Sequence, residues 1–199
     1  MCSWCYGFGP QLEKVRETSG LPVRLVMGGL YVEERLQPAT PDLRRYLEET
    51  WSRVQLRSGQ PFRFDRAEPM VHGDWTYDTA PSGQAVIHVR DQTPDRALDY
   101  LSAVQRAFYF EGRDTTQWDV LDSIARELGL DSIASLDALL NPSSLNKDIA
   151  ESRQLSATGF PRLILETRHP DGGVDRVPVA TGFTQAPEVL RKIKVLFAH

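Results

Sequence analysis

Met1-Cys2-Ser3-Trp4-Cys5-Tyr6 holds both cysteines of the chain in a Cys-x-x-Cys spacing, and a helical pattern begins directly behind it. Phe8, Leu12 and Val15 recur at roughly one turn, which places Cys2 at or just before a helix N-terminus. The first N–H groups of a helix have no partner inside it, and the dipole is positive there, so that end favours an anion. A thiolate is the anion on offer, and a lowered Cys2 pKa is the expectation. Cys5 lies a turn further in, placed to attack a mixed disulfide formed on Cys2.

Two other uses of the pair compete. Zinc usually takes four ligands, yet there is no second cysteine pair, and His72, His88, His169 and His199 stand at no ligand spacing. A structural bridge closing so short a loop would remove little unfolded-state entropy. A redox dithiol is therefore the favoured reading, with no metal and no cofactor beyond the Cys2–Cys5 pair itself.

The rest of the chain narrows the class. Of its 199 residues, 41% are hydrophobic and 25% charged, the balance of an ordinary soluble globular protein. The net charge of −4 offers no footprint for nucleic acid or an anionic membrane. No stretch approaches the roughly 20 apolar residues of a membrane span. No signal peptide is visible, and two cysteines do not make a disulfide-stapled secreted domain. A catalytic pair in the cytoplasm is expected. A periplasmic or secreted chain whose leader has been removed stays open.

Taken in order, the first helix is expected from about Cys5 to Thr18, with Gly7, Gly9 and Pro10 making its start irregular and Gly20 ending it. Val23-Arg24-Leu25-Val26-Met27 reads as a buried strand bounded by Gly28-Gly29. A strand upstream of the cysteine helix would complete a βαβ unit, but only Met1 precedes Cys2. About ten upstream residues are expected to be missing, or the strand to come from another chain.

Thr40-Pro41 starts a helix carrying Leu43, Tyr46, Leu47, Trp51 and Val54, stopped at Gly59. Residues 60–80 form a long aromatic loop that either borders the site or packs on the surface. Helices follow over Pro81–Arg90, from Thr93-Pro94-Asp95 to about Gly112, over Trp118–Leu128, over Ser135–Leu140 and from Ser144 to about Ala157. The period then switches. Arg162–Glu166 and Arg176–Ala180 read as a hairpin around Pro170-Asp171-Gly172-Gly173, with Pro178 marking an edge strand. Val189 to Phe197 forms a closing amphipathic helix. The first strands and the last hairpin are expected to share one mixed sheet.

The chain resembles the DsbA-like thiol–disulfide oxidoreductases of the thioredoxin superfamily, and most nearly their FrnE-like branch. The resemblance rests on Cys2-Ser3-Trp4-Cys5-Tyr6-Gly7-Phe8, on Phe108-Tyr109-Phe110-Glu111-Gly112-Arg113-Asp114 and on Thr158-Gly159-Phe160-Pro161. It implies a thioredoxin-like α/β fold, residues 1–39 and 158–199, with a large inserted helical domain, residues 40–157. It implies that Cys2 attacks and Cys5 resolves, that Pro161 is a cis-proline facing the pair, and that Ser3, Trp4, Phe160 and Pro161 bind substrate. The partners implied are protein or peptide thiols and disulfides, with glutathione a candidate co-substrate. Ser3 and Trp4 replace the Pro-His of strongly oxidising members, which implies a Cys2 pKa lowered less than theirs. Two alternatives stand beside this reading. One is a glutathione-dependent transferase or isomerase of the kappa-like branch, against which Cys2 argues, since those proteins typically carry serine there. The other is a redox-sensing chaperone or binding module.

Overall fold

Helix α1 (Ser3–Ser19) is the element shared by the two larger apolar clusters of the core. The computed structural model describes residues 1–67, 75–133, 142–155 and 159–197. Helix α1 runs unbroken through Gly7, Gly9 and Pro10, where an irregular start is expected from the sequence. Pro10 has no N–H for the Tyr6 carbonyl, and the Gln60 side-chain amide donates to that carbonyl instead, at 3.3 Å. Gly7 is small for a packing reason: a methyl group there would stand 2.7 Å from the Val54 side chain. Gly20 ends the helix in the left-handed region, its N–H bonded to the Arg16 carbonyl.

Tyr6 and Phe8 point α1 into different cores. Tyr6 joins an aromatic cluster with Trp51, Phe62, Tyr77, Phe108 and Tyr109. It stacks on Tyr109 at 5.1 Å and meets Phe62 edge-on at 5.2 Å. Each such pair contributes about 0.5–1.5 kcal/mol beyond the area it buries. Phe8 and Val15 pack instead with Leu165, Val179, Val189 and Ile193. The first turn of α1 is thus gripped from both sides.

The helical region comprises α2 (Pro41–Ser58), α3 (Phe64–Ala67), α4 (Ala80–Gln92), α5 (Ala97–Arg106), α6 (Trp118–Glu127) and α7 (Pro142–Gln154). Thr40 caps α2 by accepting from the Leu43 N–H at 3.1 Å, and Gly59 closes it, as the sequence pattern predicts. Helix α5 runs into a π-helical turn, Ala107–Glu111. The wider turn puts the adjacent Phe108 and Tyr109 both in the core, at 1% and 0% exposure. Sequence periodicity does not foresee this. The expected Ser135–Leu140 helix lies outside the described residues, as do His72, Thr158 and His199. Among the described residues no helix is long and apolar enough to cross a membrane.

Two expectations about strands are corrected. Residues 23–27 form no strand. Their backbone is held by side chains: Asp148 accepts from the Met27 N–H at 2.8 Å, and Arg90 donates to the Leu25 carbonyl at 2.9 Å. An apolar run becomes a strand only where a ladder partner meets its N–H and C=O groups, and here ionic side chains meet them. Nor is there one mixed sheet among the described residues. A two-residue ladder, β1 (Gln37–Pro38) with β2 (Thr76–Tyr77), stands apart from the hairpin of β3 (Arg162–Arg168) and β4 (Val174–Thr181). The hairpin itself is as expected. The register slips between Leu163, opposite Ala180, and Ile164, opposite Pro178. Val179 is the extra residue, and this bulge lets Val179 and Ala180 both turn into the core. Helix α8 (Ala186–Phe197) closes the chain, and Gln11 of α1 accepts from its Ala186 N–H at 3.0 Å.

Candidate active site

Cys2 is the N-cap of α1, in extended conformation, and its Sγ accepts from the Cys5 N–H at 3.3 Å. A sulfur in that position takes one of the orphan donors that helix geometry leaves at the first turn. Both thiols are free and half-buried. The Cys2 thiol is held below its ordinary pKa, first by the hydrogen bond that the Cys5 thiol donates to it and then by the Cys5 N–H, against the opposing effect of burial. The Cys5 thiol is pushed well above its ordinary value by the same hydrogen bond, by burial and by the charge on Cys2. The two thiols are thus biased in opposite directions, Cys2 toward the thiolate and Cys5 toward the protonated form.

The second side of the site arrives from the far end of the chain. Cys2 Sγ lies 3.9 Å from the carbonyl oxygen of Phe160, and the Phe160–Pro161 peptide bond is cis. Pro161 is buried behind it, its carbonyl accepting from the Gly182 N–H at 2.8 Å. Ser3 and Trp4 occupy the first turn of α1, and Trp4 leans toward Phe183 at 6.5 Å between ring centres.

A cavity of about 420 Å³ opens beside Cys2. Cys2, Ser3, Trp4 and Phe160 line it, whereas Cys5 and Pro161 do not. Four of the six residues singled out from the sequence thus share one wall, and the other two lie behind it. The remaining lining includes Tyr31, Tyr46, Trp51, Tyr77 and three arginines, Arg35, Arg53 and Arg153. Those arginines carry no sequence signal, because they come from three separate stretches. Gly28 also belongs to the site: a side chain there would collide with the Phe160 ring. The Gly28-Gly29 pair is visible in the sequence, but only as punctuation.

The aromatic loop at 60–80 contributes through its described residues. Tyr6 donates its hydroxyl to the Pro61 carbonyl at 3.1 Å, and Tyr77 lines the cavity from the core. Trp75 donates to Asp114 at 3.2 Å, tying this loop to the segment that follows the π turn. Tyr46 of α2 is 52% exposed at the cavity, whereas Trp51 of the same helix is buried.

Residues 1–182 match the family model described as DSBA-like thioredoxin domain. No curated protein matches the chain. Among solved structures, the chain is similar to a candidate protein disulfide isomerase from Nitrosomonas europaea, with 28% identity and a TM-score of 0.84 over 100% of this chain and 93% of that one. It is similar also to the cytosolic disulfide reductase DsbM from Pseudomonas aeruginosa, with 27% identity and a TM-score of 0.78 over 100% and 95% of the two chains. The same reductase with GSH gives 27% identity and a TM-score of 0.79 over 100% and 96%.

Proposed function

The chain belongs to the DSBA-like thioredoxin domain family, and from that premise we propose that it is a thiol–disulfide oxidoreductase working through the Cys2–Cys5 dithiol. The observation that carries this is the placement of Cys2 Sγ, which caps α1 on one side and faces the Phe160 carbonyl on the other. The Cys2 thiolate attacks a substrate disulfide and forms a mixed disulfide, releasing the first substrate thiolate. Cys5 loses its proton and attacks the Cys2 sulfur, releasing the second thiolate and closing the Cys2–Cys5 disulfide. Two electrons pass from the protein dithiol to the substrate. The same steps in reverse oxidise a dithiol.

Ser3 and Trp4 border the bound sulfur, and the Phe160 backbone pairs with an extended substrate segment by strand addition, with Pro161 shaping that turn. The substrates are protein or peptide disulfides, with glutathione as co-substrate. Support for the latter is the likeness to a disulfide reductase described with GSH. That reductase is described as cytosolic, which supports the cytoplasm for this chain as well. The reading divides the chain into a thioredoxin-like part, 1–39 and 158–199, and an inserted helical part, 40–157, that walls the cavity.

The test is an equilibrium titration of the pair in glutathione redox buffers, read by alkylation and mass. A reversible two-electron transition is expected. A pair that stays reduced or stays oxidised throughout, or a Cys2–glutathione adduct as the sole product, would overturn the dithiol mechanism.

A further inference from the structure

The cavity beside Cys2 is strongly one-sided in charge. Arg35 reaches it from the 3₁₀ turn Glu33–Arg35, Arg53 from α2 and Arg153 from α7, and no Asp or Glu is among its lining residues. All three are exposed. Elsewhere on the surface, arginines are paired with carboxylates: Arg24 with Glu151, Arg44 with Glu48, Arg96 with Asp99. Among the described residues none of the three cavity arginines has such a partner. Arg35 donates to the Gly29 carbonyl at 2.6 Å and Arg53 to the Thr50 hydroxyl at 3.2 Å. These acceptors are neutral, so they orient the guanidinium groups and leave the full charge in place. Each group keeps further N–H donors for a ligand.

Three like charges around one cleft repel one another, and an anionic ligand relieves that repulsion while being concentrated next to the reactive sulfur. A cavity of about 420 Å³ accommodates a small molecule rather than a protein surface. We propose that Arg35, Arg53 and Arg153 select small peptide disulfides bearing carboxylates, holding them for attack by Cys2. The inference rests on the dithiol reading above and adds to it the residues that decide which disulfides react. Chemically the step is E(SH)₂ + RSSR → E(S–S) + 2 RSH: the Cys2–S–R bond replaces R–S–S–R, and the Cys2–Cys5 bond then displaces the second thiol.

The experiment is single-turnover oxidation of the pre-reduced full chain by three disulfides of different charge: oxidised glutathione (anionic), hydroxyethyl disulfide (neutral) and cystamine (cationic). Each rate constant is divided by that of the same disulfide with free dithiothreitol, which removes intrinsic reactivity. The normalised rates are expected to fall in the order anionic, neutral, cationic, with about tenfold or more between the extremes at low salt and a much smaller span at high salt. In the variant carrying Arg35→Gln, Arg53→Gln and Arg153→Gln, the ratio of anionic to cationic rates should fall toward one. The wild-type order and its salt response carry the test if that variant does not fold. Equal normalised rates, or a cationic preference, would overturn the selectivity and leave the dithiol mechanism standing. Failure of all three disulfides to oxidise the pair would remove both.

Discussion

The ring of Phe160 occupies the space in which a side chain at Gly28 would lie. Two residues 132 positions apart thereby set the position of the loop that faces Cys2, since Phe160 also presents its carbonyl 3.9 Å from the Cys2 sulfur. Gly28 has no unusual φ to require glycine there. What requires it is the ring.

Gly28→Ala should push the Phe160 ring away and with it the carbonyl facing Cys2. Overpacking of this kind typically costs about 1–3 kcal/mol. A lower midpoint in urea is expected, together with an exchange rate reduced about tenfold, because a shift near 1 Å at a reacting centre is felt strongly. Denaturation curves and single-turnover rates measure the two effects separately. A variant as fast as wild type would show that the Phe160 contact does not position the site.

The two cysteines should fail differently. Cys2→Ser removes the thiol that lines the cavity and should abolish exchange. Cys5→Ser leaves attack intact but removes resolution, so a mixed disulfide on Cys2 should accumulate. Intact-mass measurement after addition of a small disulfide decides this, and a stable adduct on Cys5 in the Cys2→Ser protein would reverse the roles.

Alkylation of Cys2 should follow its lowered pKa, rising as pH climbs through a midpoint below that of an ordinary thiol and levelling off beyond that midpoint. The linked stability has the same sign. Between the folded pKa of Cys2 and its ordinary value, the unfolded chain holds the proton that the folded chain has lost, so stability from this group increases with pH. Cys5, Tyr77 and Tyr109 act oppositely, because burial contributes to raising all three. Above their ordinary values the unfolded chain ionises first and their contribution is lost. The reduced protein should therefore lose stability in alkali, and urea midpoints measured across pH would reveal it.

Asp148 should be the most sensitive ion-pair residue. It is buried, bonded to Arg90 at 2.6 Å, and it also accepts from the Met27 N–H. Asp148→Ala would take from the largely buried Arg90 guanidinium one of its two carboxylates, Asp91 remaining at 2.9 Å, and would leave the Met27 N–H without its acceptor, a loss of about 1–3 kcal/mol. Equilibrium unfolding would measure it. Hydrogen exchange at Met27 should accelerate in the same variant, and an unchanged Met27 amide would contradict the assigned contact.

Local patterns in the sequence determined a good deal. Cys2 sits at the start of a helix because the apolar residues behind it recur at helical spacing, and Thr40-Pro41, Gly20 and Gly59 mark helix ends through their own backbone preferences. The hairpin follows from its turn residues. These signals act over a few residues, and the energies behind them are local. Val23–Met27 shows where such signals stop: its composition suits a strand, yet its backbone groups are met by Asp148 and Arg90. The π turn at Ala107–Glu111 likewise belongs to the packing of Phe108 and Tyr109 against Tyr6 and Trp51. The meeting of Phe160 with Cys2 was expected only through the family resemblance, and the tertiary structure alone brought three arginines from separate elements to one cavity. Long-range juxtaposition depends on how whole elements fill space against one another, and no periodicity along the chain records that.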